Sequence, residues 1–543
     1  MRVMVTSLLL LLSAEAAAAP PAASFMARWT AKEQRLEELY AQYWRTEYAI
    51  AKGNAQLSSV EIQKQIREQE TEPDFLVKLK AAKLADPVLR RRRELLLDEA
   101  AVTQISSDSV LAKLVEEISR DEAAMRYAIA GKQMTRSELN NLLRHEPNRE
   151  LRRQAWLAQQ QLTGKTGERI RRAMQMRREL AAKYSNRSFP DVMLSHKGIR
   201  SRRQLLAWFE EIERATEPEY QRLLGRVKAE LKIETAEPWD LDYYFSTLTG
   251  GFEEKKFVPE HAWEQVKRVA ATLGYDLNKL PVDTTITEIT FGGGTYPILF
   301  GKEVKILVNK YQGLRFVDTL FHESGHALHY SFDLEPEASG SPKPSFILEA
   351  NFAEPFDEGL GQVMALMIYR PQVASAIFGL TPDEVKAINE VYRLKSLYDL
   401  RGTMADSMFE FAAYENPEQD LAALYDGVAA KYLGVGMHGG RTWAFDPFFA
   451  SGPIYLQSYV LAEMVGRQVH HALAQRFGEQ WGEEAGRFLR QKFFSRGGRL
   501  TLDEIMQQGT GEPLSDKYLI KALAGKPQQG NEAVEKMRHP PGY

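Results

Sequence analysis

The sequence predicts a mainly α-helical protein with one small β-sheet. From about residue 26 to 222 it is rich in Ala, Leu, Glu, Gln, Arg and Lys, with apolar residues at helical spacing. Strong helix formers over so long a stretch favour a bundle of long helices. Near Thr284 the composition changes to β-branched residues around a triple glycine, Gly292 to Gly294, which indicates a small sheet. Helical patterning resumes at Phe316.

The N-terminal segment is typical of a secretory signal. Arg2 precedes a mostly apolar run from Val3 to Leu12, and mainly small residues follow as far as Ala19. The run is too short to span a bilayer as a helix, but it matches the apolar region of a signal peptide with cleavage sites behind it. We therefore expect residues 1–22 to be a signal peptide and the mature protein to be periplasmic or secreted, without membrane contact. An uncleaved apolar anchor is the alternative.

The remaining chain is predicted to form one helical domain, residues 23–525, which could divide into lobes at about 23–280 and 281–525. Residues 526–543 have the composition of a loose tail. The 543 residues carry a formal net charge of -3, so charge gives no argument for a nucleic-acid partner. Cysteine is absent, which excludes disulfides and thiol chemistry. Four consecutive arginines, Arg90 to Arg93, are followed by acidic residues and are interpreted as a solvated helix face.

The strongest functional signal is FHESGHALHY, Phe321 to Tyr330. Positions i and i+4 of a helix point the same way, so His322 and His326 can bind one zinc ion. Glu323 lies beside them, where it can reach a metal-bound water molecule without being a ligand. In this H-E-x-x-H arrangement the metal lowers the pKa of the water and the glutamate takes its proton. His329 is interpreted as a residue that packs against the site or supports it.

A catalytic zinc ion normally has three protein ligands, so a third is expected nearby. The next helical run, EANFAEPFDEGLGQVMALMIYR, offers four acidic candidates, Glu349, Glu354, Asp357 and Glu358. The apolar spacing after Glu358 places it at the start of a helix that could pack against the first one.

Ile306 to Tyr330 resembles a segment of the thimet oligopeptidase and oligoendopeptidase F families, where a β-hairpin precedes a helix bearing HExGHxxH. EGLGQVMAL resembles the third-ligand helix of those families and of the angiotensin-converting enzyme family. There the ligand glutamate is followed four residues on by Gln or Asp. The resemblance implies Glu358 as the third ligand, followed by Gln362. The spacing from His326 is longer here, which suggests an insertion at residues 335–345 and leaves Glu354 as the alternative.

The segment SYVLAEMVGRQVHHAL resembles the helix that carries the transition-state tyrosine in these peptidases. The resemblance implies that Tyr459, or alternatively Tyr455, donates a hydrogen bond to the developing oxyanion. The histidine and arginine that accompany this tyrosine in the angiotensin-converting enzyme family have no match here, and His438 is the candidate for the second donor. Gly293 and Gly294 are expected to let an extended substrate approach the strand closely.

The resemblance extends in patches from about residue 120 to 500. It implies a helical ellipsoid with a deep central channel that admits peptides but not folded proteins. We therefore expect a monomeric zinc metallopeptidase that hydrolyses oligopeptides, with a metal-bound water molecule as nucleophile. A peptidyl-dipeptidase or carboxypeptidase is the alternative among enzymes. A catalytically decayed peptide-binding protein is the alternative of another class, and the intact Glu323 argues against it.

Overall fold

A computed structural model describes most of the chain between residues 21 and 524. It leaves out residues 55, 249–251, 290, 335–344, 437–442 and 446–447, and the side chains of residues 21–24, 253 and 254. The expected insertion, the C-terminal tail and His438 therefore lie outside the described residues, as does the expected signal peptide except for residues 21 and 22.

Most described residues are helical, which confirms the predicted mainly α fold. Among the described residues, thirteen α-helices come before the main sheet: α1 (Pro21–Ala51), α2 (Val60–Glu70), α3 (Pro73–Ala81), α4 (Pro87–Ser106), α5 (Ser109–Ala124), α6 (Arg136–His145), α7 (Arg149–Ala158), α8 (Gln160–Ser185), α9 (Phe189–His196), α10 (Arg202–Leu231), α11 (Pro238–Thr247), α12 (Phe252–Lys256) and α13 (Pro259–Thr272). Eleven follow it in the described chain: α14 (Leu314–Ser331), α15 (Phe346–Ala350), α16 (Glu354–Ala365), α17 (Pro371–Phe378), α18 (Pro382–Glu415), α19 (Leu421–Leu433), α20 (Phe448–Ser451), α21 (Gln457–Phe477), α22 (Glu483–Leu489), α23 (Leu502–Thr510) and α24 (Lys517–Leu523).

Local sequence signals fix several helix ends. Helix α18 starts with a capping box. The Thr381 hydroxyl accepts a hydrogen bond from the backbone N–H of Glu384, and the Glu384 carboxylate accepts one from the backbone N–H of Thr381. Gly379 ends α17 with a φ of 66°, a left-handed conformation that glycine adopts without strain. None of the described helices combines the length and the apolar character needed to cross a membrane.

The strands form two small sheets. Strands β1 (Tyr127–Ile129) and β2 (Lys132–Met134) make a short hairpin. In the main sheet, β5 (Glu303–Asn309) is central, parallel to β3 (Val282–Thr287) and antiparallel to β4 (Gly293–Leu299). This is the sheet predicted from the β-branched segment, and its β4–β5 hairpin directly precedes α14. Strand β4 therefore lies at an edge of the sheet, beside the helix that carries the H-E-x-x-H sequence.

Helix α14 packs against the sheet, and α14, α16 and α21 pack closely on one another because glycine occupies their crossing points. A Cβ atom at Gly325 of α14 would clash with the backbone of Leu360 in α16. A Cβ atom at Gly359 of α16 would lie 2.6 Å from Cβ of Val465 in α21. These close approaches bring one face of α16 against α14 and another against α21, so that polar side chains of all three helices can meet.

Candidate metal centre

Helices α14 and α16 bring His322, His326 and Glu358 together. The two Nε2 atoms lie 3.0 Å apart, and Oε2 of Glu358 lies 3.3 Å from Nε2 of His322 and 4.0 Å from Nε2 of His326. Donor atoms that bind one tetrahedral zinc ion at about 2.0–2.2 Å are roughly 3.3–3.5 Å from one another. Among the described residues this is the group of His, Asp and Glu side chains that could hold a metal ion, and its His₂Glu donor set suits catalytic zinc.

The other acidic candidates for third ligand lie elsewhere. Glu354 forms an ion pair with Lys197 and accepts a 2.6 Å hydrogen bond from the Ser458 hydroxyl. Glu349 is buried in α15 and is not part of the group. Asp357 faces the side of His326 that points away from the group. Glu358, the position that the resemblance implied, is thus the acidic residue that meets the two histidines. The helix begins one turn earlier than the apolar spacing predicted, at Glu354 rather than at Glu358.

Asp357 connects three side chains of α14 to the start of α16. One carboxylate oxygen lies 3.2 Å from Nδ1 of His326 and 2.8 Å from Nδ1 of His329, and the other accepts a 2.6 Å hydrogen bond from the Tyr330 hydroxyl. The contact with His326 is one of charge, since Nδ1 of this ring makes no hydrogen bond within the described part of the chain, whereas Nδ1 of His329 is hydrogen-bonded. A carboxylate beside Nδ1 favours the tautomer that leaves Nε2 to bind a metal. The sequence did not identify this acceptor, although Asp357 is the residue directly before Glu358.

The group has the electrostatic character of a cation site. Burial lowers the pKa of His326, but Asp357, Glu358 and Glu323 raise it to about 10. Burial alone would raise the pKa of Glu358, yet the two histidines and Tyr455 hold it below its ordinary value. The carboxylates thus favour positive charge at the point where the two imidazoles meet, and a metal ion would supply that charge in place of protons.

Glu323 is held beside the group by the edge strand. Its side chain is 7% exposed, and Oε2 accepts a 2.7 Å hydrogen bond from the hydroxyl of Thr295 in β4. A Cβ atom at Gly293 would lie 3.3 Å from Cγ of Glu323, so glycine leaves room for this carboxylate. At Gly294 the nearest atom would be 3.6 Å away, an ordinary contact, so the described structure gives no steric reason for glycine there.

Tyr459, in the first turn of α21, and Tyr455, two residues before this helix, face the group with their ring centroids 5.3 Å apart. The Tyr455 hydroxyl donates a 2.6 Å hydrogen bond to Oε1 of Glu358. Tyr459 is 37% exposed and is therefore reachable from solvent. Burial, followed by the charge of Glu358, raises the pKa of both phenols, which therefore stay protonated at neutral pH and can donate hydrogen bonds.

Two residues at the site were not found from the sequence. Thr295 positions Glu323, and Lys197 lies with its Nζ 4.4 Å from the centroid of the Tyr455 ring while it pairs with Glu354. Alternation along β4 could have pointed to Thr295, because residues 293 and 295 share one face of a strand. Nothing in the sequence signals Lys197, since its partners lie far along the chain.

Comparisons with known proteins give one family match and several structures of similar fold. Residues 142–269 match the family model described as Peptidase family M3, a segment that ends before the metal-binding group. None of the curated proteins matches the sequence.

Several solved structures share the fold over 94% of this chain. They include the M32 carboxypeptidase from Deinococcus radiodurans R1 (15% identity, all of that chain covered, TM-score 0.64). A carboxypeptidase from Pyrococcus furiosus (15%, 99% covered, TM-score 0.62) and metallocarboxypeptidase 1 from Trypanosoma cruzi (14%, all covered, TM-score 0.59) are also similar. The family match and the shared fold indicate a metallopeptidase, which confirms the predicted resemblance and the expectation of an enzyme.

Proposed function

We propose that this metallopeptidase hydrolyses peptide bonds in oligopeptides with the help of one zinc ion. The observation that carries the proposal is the meeting of His322, His326 and Glu358, with the carboxylate of Glu323 on the next position of the same helix. Three protein ligands leave the fourth position of a tetrahedral zinc ion open for chemistry. A zinc ion held there would polarise the scissile carbonyl and lower the pKa of a water molecule.

Glu323 is the general base in this proposal. It takes a proton from the attacking water and passes the proton to the leaving amine. Thr295 supports this role because its hydroxyl donates to Oε2, which holds the carboxylate in one orientation and leaves Oε1 for the water. Burial of Glu323 in the fold keeps bulk water from competing for the same proton.

The two tyrosines have different roles in the proposal. The partly exposed Tyr459 donates a hydrogen bond to the oxyanion that develops on the substrate carbonyl. Tyr455 instead holds Glu358 through the bond to Oε1, which directs Oε2 toward the histidines. His438, the sequence candidate for a second oxyanion donor, lies outside the described residues and stays a prediction.

Strand β4 supports an extended peptide as substrate. It lies at the edge of its sheet, and no described strand pairs with its outer side, where an added strand could bind. The space beside Gly293 that a Cβ atom would need is taken by Thr319, Glu323 and Val308, so the expected role of this glycine in admitting the peptide backbone stays a prediction. An added strand of this kind suits oligopeptides, and the predicted deep channel would exclude folded proteins.

A second candidate is removal of residues from the C-terminus. The observation that favours it is the fold shared along almost the whole chain with proteins described as carboxypeptidases. A C-terminal peptidase must recognise a free carboxylate, whereas an oligopeptidase needs none. The two candidates therefore differ in a property that peptide substrates can report.

The test is mass spectrometry of a ten-residue peptide with a free or an amidated C-terminus, incubated with purified protein with and without a zinc chelator. Internal cuts in both peptides that the chelator abolishes would support the oligopeptidase. Stepwise loss of residues from the C-terminus, seen only in the peptide whose C-terminus is free, would contradict the oligopeptidase and support the second candidate. Absence of cleavage by zinc-loaded protein across several peptides would contradict both candidates.

Export is also a proposal, and the N-terminal sequence alone supports it. Expression of the full chain in a bacterial host, followed by fractionation and N-terminal sequencing, tests it. We expect the protein in the periplasm or the medium, beginning near residue 23. Recovery of the intact N-terminus from the cytoplasm would contradict export.

A further inference from the structure

A cavity of about 920 Å³ lies between α4, the residues after α9, and the segment that runs from Ser495 to the start of α23. None of the residues of the metal-binding group lines it. Its wall is rich in arginine, and six arginine side chains contribute to it: Arg90, Arg91, Arg93, Arg200, Arg496 and Arg499. We call it the arginine cavity. Its volume lies within the range of sites for small molecules, about 300–1,000 Å³.

Three carboxylates also line the arginine cavity, and each is already engaged. Glu94 is shared by two of the arginines, Arg91 and Arg200, each at 2.9 Å. Glu504 accepts hydrogen bonds from the backbone N–H and the hydroxyl of Thr501, at 2.8 and 2.9 Å, at the start of α23. The third is Asp98, which accepts a 3.0 Å bond from Ser195. Six guanidinium groups thus face three carboxylates in a protein whose net charge is negative.

Several of the guanidinium groups have hydrogen-bond donors to spare. Arg90 bonds only backbone carbonyls, those of Leu84 and Ala85, and Arg93 bonds the carbonyl of Ala82. Neither has a carboxylate within 4.0 Å among the residues that the structure describes, and the guanidinium group of Arg496 makes no hydrogen bond or ion pair with them. A guanidinium group has five N–H donors, so these groups can bind further acceptors.

Ser495 adds an observation of a different kind. This residue is 2% exposed, lines the arginine cavity, and its hydroxyl finds no hydrogen-bond partner within the described part of the chain. A buried hydroxyl without a partner is costly, and such groups in native proteins usually have one. A ligand with oxygen acceptors in the cavity would provide it.

We propose that the arginine cavity binds a small soluble anion that carries phosphate groups. Arginine matches the geometry of phosphate oxygens with two parallel N–H bonds, and the guanidinium groups of α4 and of Arg496 that have no carboxylate partner among the described residues can bind one such group from two sides. The arginine run was interpreted from the sequence as a solvated face. In the structure Arg92 turns away to Glu33, at 2.9 Å, whereas the other three members of the run line the cavity.

The test is calorimetric titration of the full protein with inorganic phosphate and with pyrophosphate at low ionic strength. We expect saturable binding, tighter for pyrophosphate because its larger charge reaches more of the arginines. Arg496→Gln and Arg90→Gln should each weaken binding about tenfold, the effect of one charge-assisted hydrogen bond. Ser495→Ala should weaken it severalfold. The matched control is Arg214→Gln, which removes an exposed arginine on α10 and should leave binding unchanged.

Three results would overturn the proposal. The first is no saturable binding of either anion, and the second is equal weakening by Arg214→Gln and Arg496→Gln, which would indicate a nonspecific charge effect. The third concerns the source of the phosphate, which a membrane lipid could also supply. The protein could fail to bind pyrophosphate and yet cosediment with phosphatidylglycerol vesicles in a way that Arg496→Gln abolishes. This result would indicate that the cavity binds a lipid surface and not a soluble anion.

Discussion

Gly361 of α16 lies directly against the imidazole of His322 in α14: a Cβ atom at this glycine would be 2.6 Å from Cε1 of the ring. Real Cβ atoms do not come so close to another heavy atom. The same crossing has Gly325 on the other helix, against the backbone of α16. The two helices can therefore carry Glu358 to the histidines only because both crossing positions are glycine.

Gly361→Ala should move the His322 ring and weaken zinc binding by about tenfold or more, because the added methyl group occupies its place. Such overpacking should also cost about 1–3 kcal/mol of unfolding free energy. Competition with a chromogenic chelator and denaturant unfolding measure the two effects. The control is Gly225→Ala in α10, where the added Cβ atom would meet open space. This substitution should leave zinc affinity unchanged and slightly stabilise the protein. Zinc affinity unchanged by Gly361→Ala would contradict the packing described above.

Asp357→Asn should weaken zinc binding about 10–100-fold, the usual result of losing a carboxylate that orients a metal-bound histidine. The amide keeps the shape of the side chain but removes the charge that lies 3.2 Å from Nδ1 of His326. The same competition assay measures the change, with the exposed Asp74→Asn as control. If both variants bind zinc equally well, Asp357 does not position the ligand.

The two tyrosines should separate catalysis from metal binding. Tyr459→Phe should lower kcat about 100-fold or more with little change in KM, because a lost oxyanion donor acts only in the transition state. Tyr455→Phe should instead lower zinc affinity, because its hydroxyl bonds Oε1 of Glu358. Steady-state kinetics and zinc titration of both variants distinguish the roles. A lower kcat in Tyr455→Phe together with weaker zinc binding in Tyr459→Phe would contradict this assignment of roles.

A buried pair of carboxyl groups away from the metal group should make stability depend on pH. Burial and the neighbouring Glu99 raise the pKa of Glu70 to about 8, and burial raises the pKa of Glu99 to about 7. At pH 4 the folded and unfolded chains both hold most of these protons. As the pH rises the unfolded chain ionises first, so stability falls until the pH passes about 8.

Glu70→Gln removes one carboxyl group of this pair, so the stability of the variant should fall less as the pH rises. The melting temperature of the variant should therefore rise relative to that of the original protein as the pH increases from 4 to 8. Differential scanning calorimetry across this range measures the difference. Glu68→Gln, an exposed position on the same helix, should show no such trend. A difference between the Glu70 variant and the original protein that stays constant with pH would contradict the raised pKa.

The sequence allowed prediction of the parts of the site that follow from helical periodicity. His322 and His326 are one turn apart on a single helix, a relation that sequence spacing defines directly. Helical spacing also placed Glu358 on a helix that could pack against theirs, but the choice of Glu358 over Glu354 came from the resemblance to known peptidases. The small sheet was predictable from β-branched residues within one short segment.

The remaining features depend on contacts between distant segments. Lys197 pairs with Glu354, 157 positions further along the chain, and no local pattern signals this contact. The arginine run shows the same limitation. Its composition indicated a solvated face, but the packing of α4 against the segment around Arg496 decides which side chains face a cavity. Such outcomes follow from tertiary packing rather than from propensity.

Metal-dependent hydrolysis through Glu323 is tested most directly by comparing the original protein with Glu323→Gln. Both should be loaded with zinc, and their cleavage of one ten-residue peptide should be followed by mass spectrometry. We expect one zinc ion bound per chain in both proteins and a rate lower by about 100- to 10,000-fold in the variant, the usual effect of losing a general base. Full activity of a zinc-loaded Glu323→Gln variant would contradict the proposed mechanism.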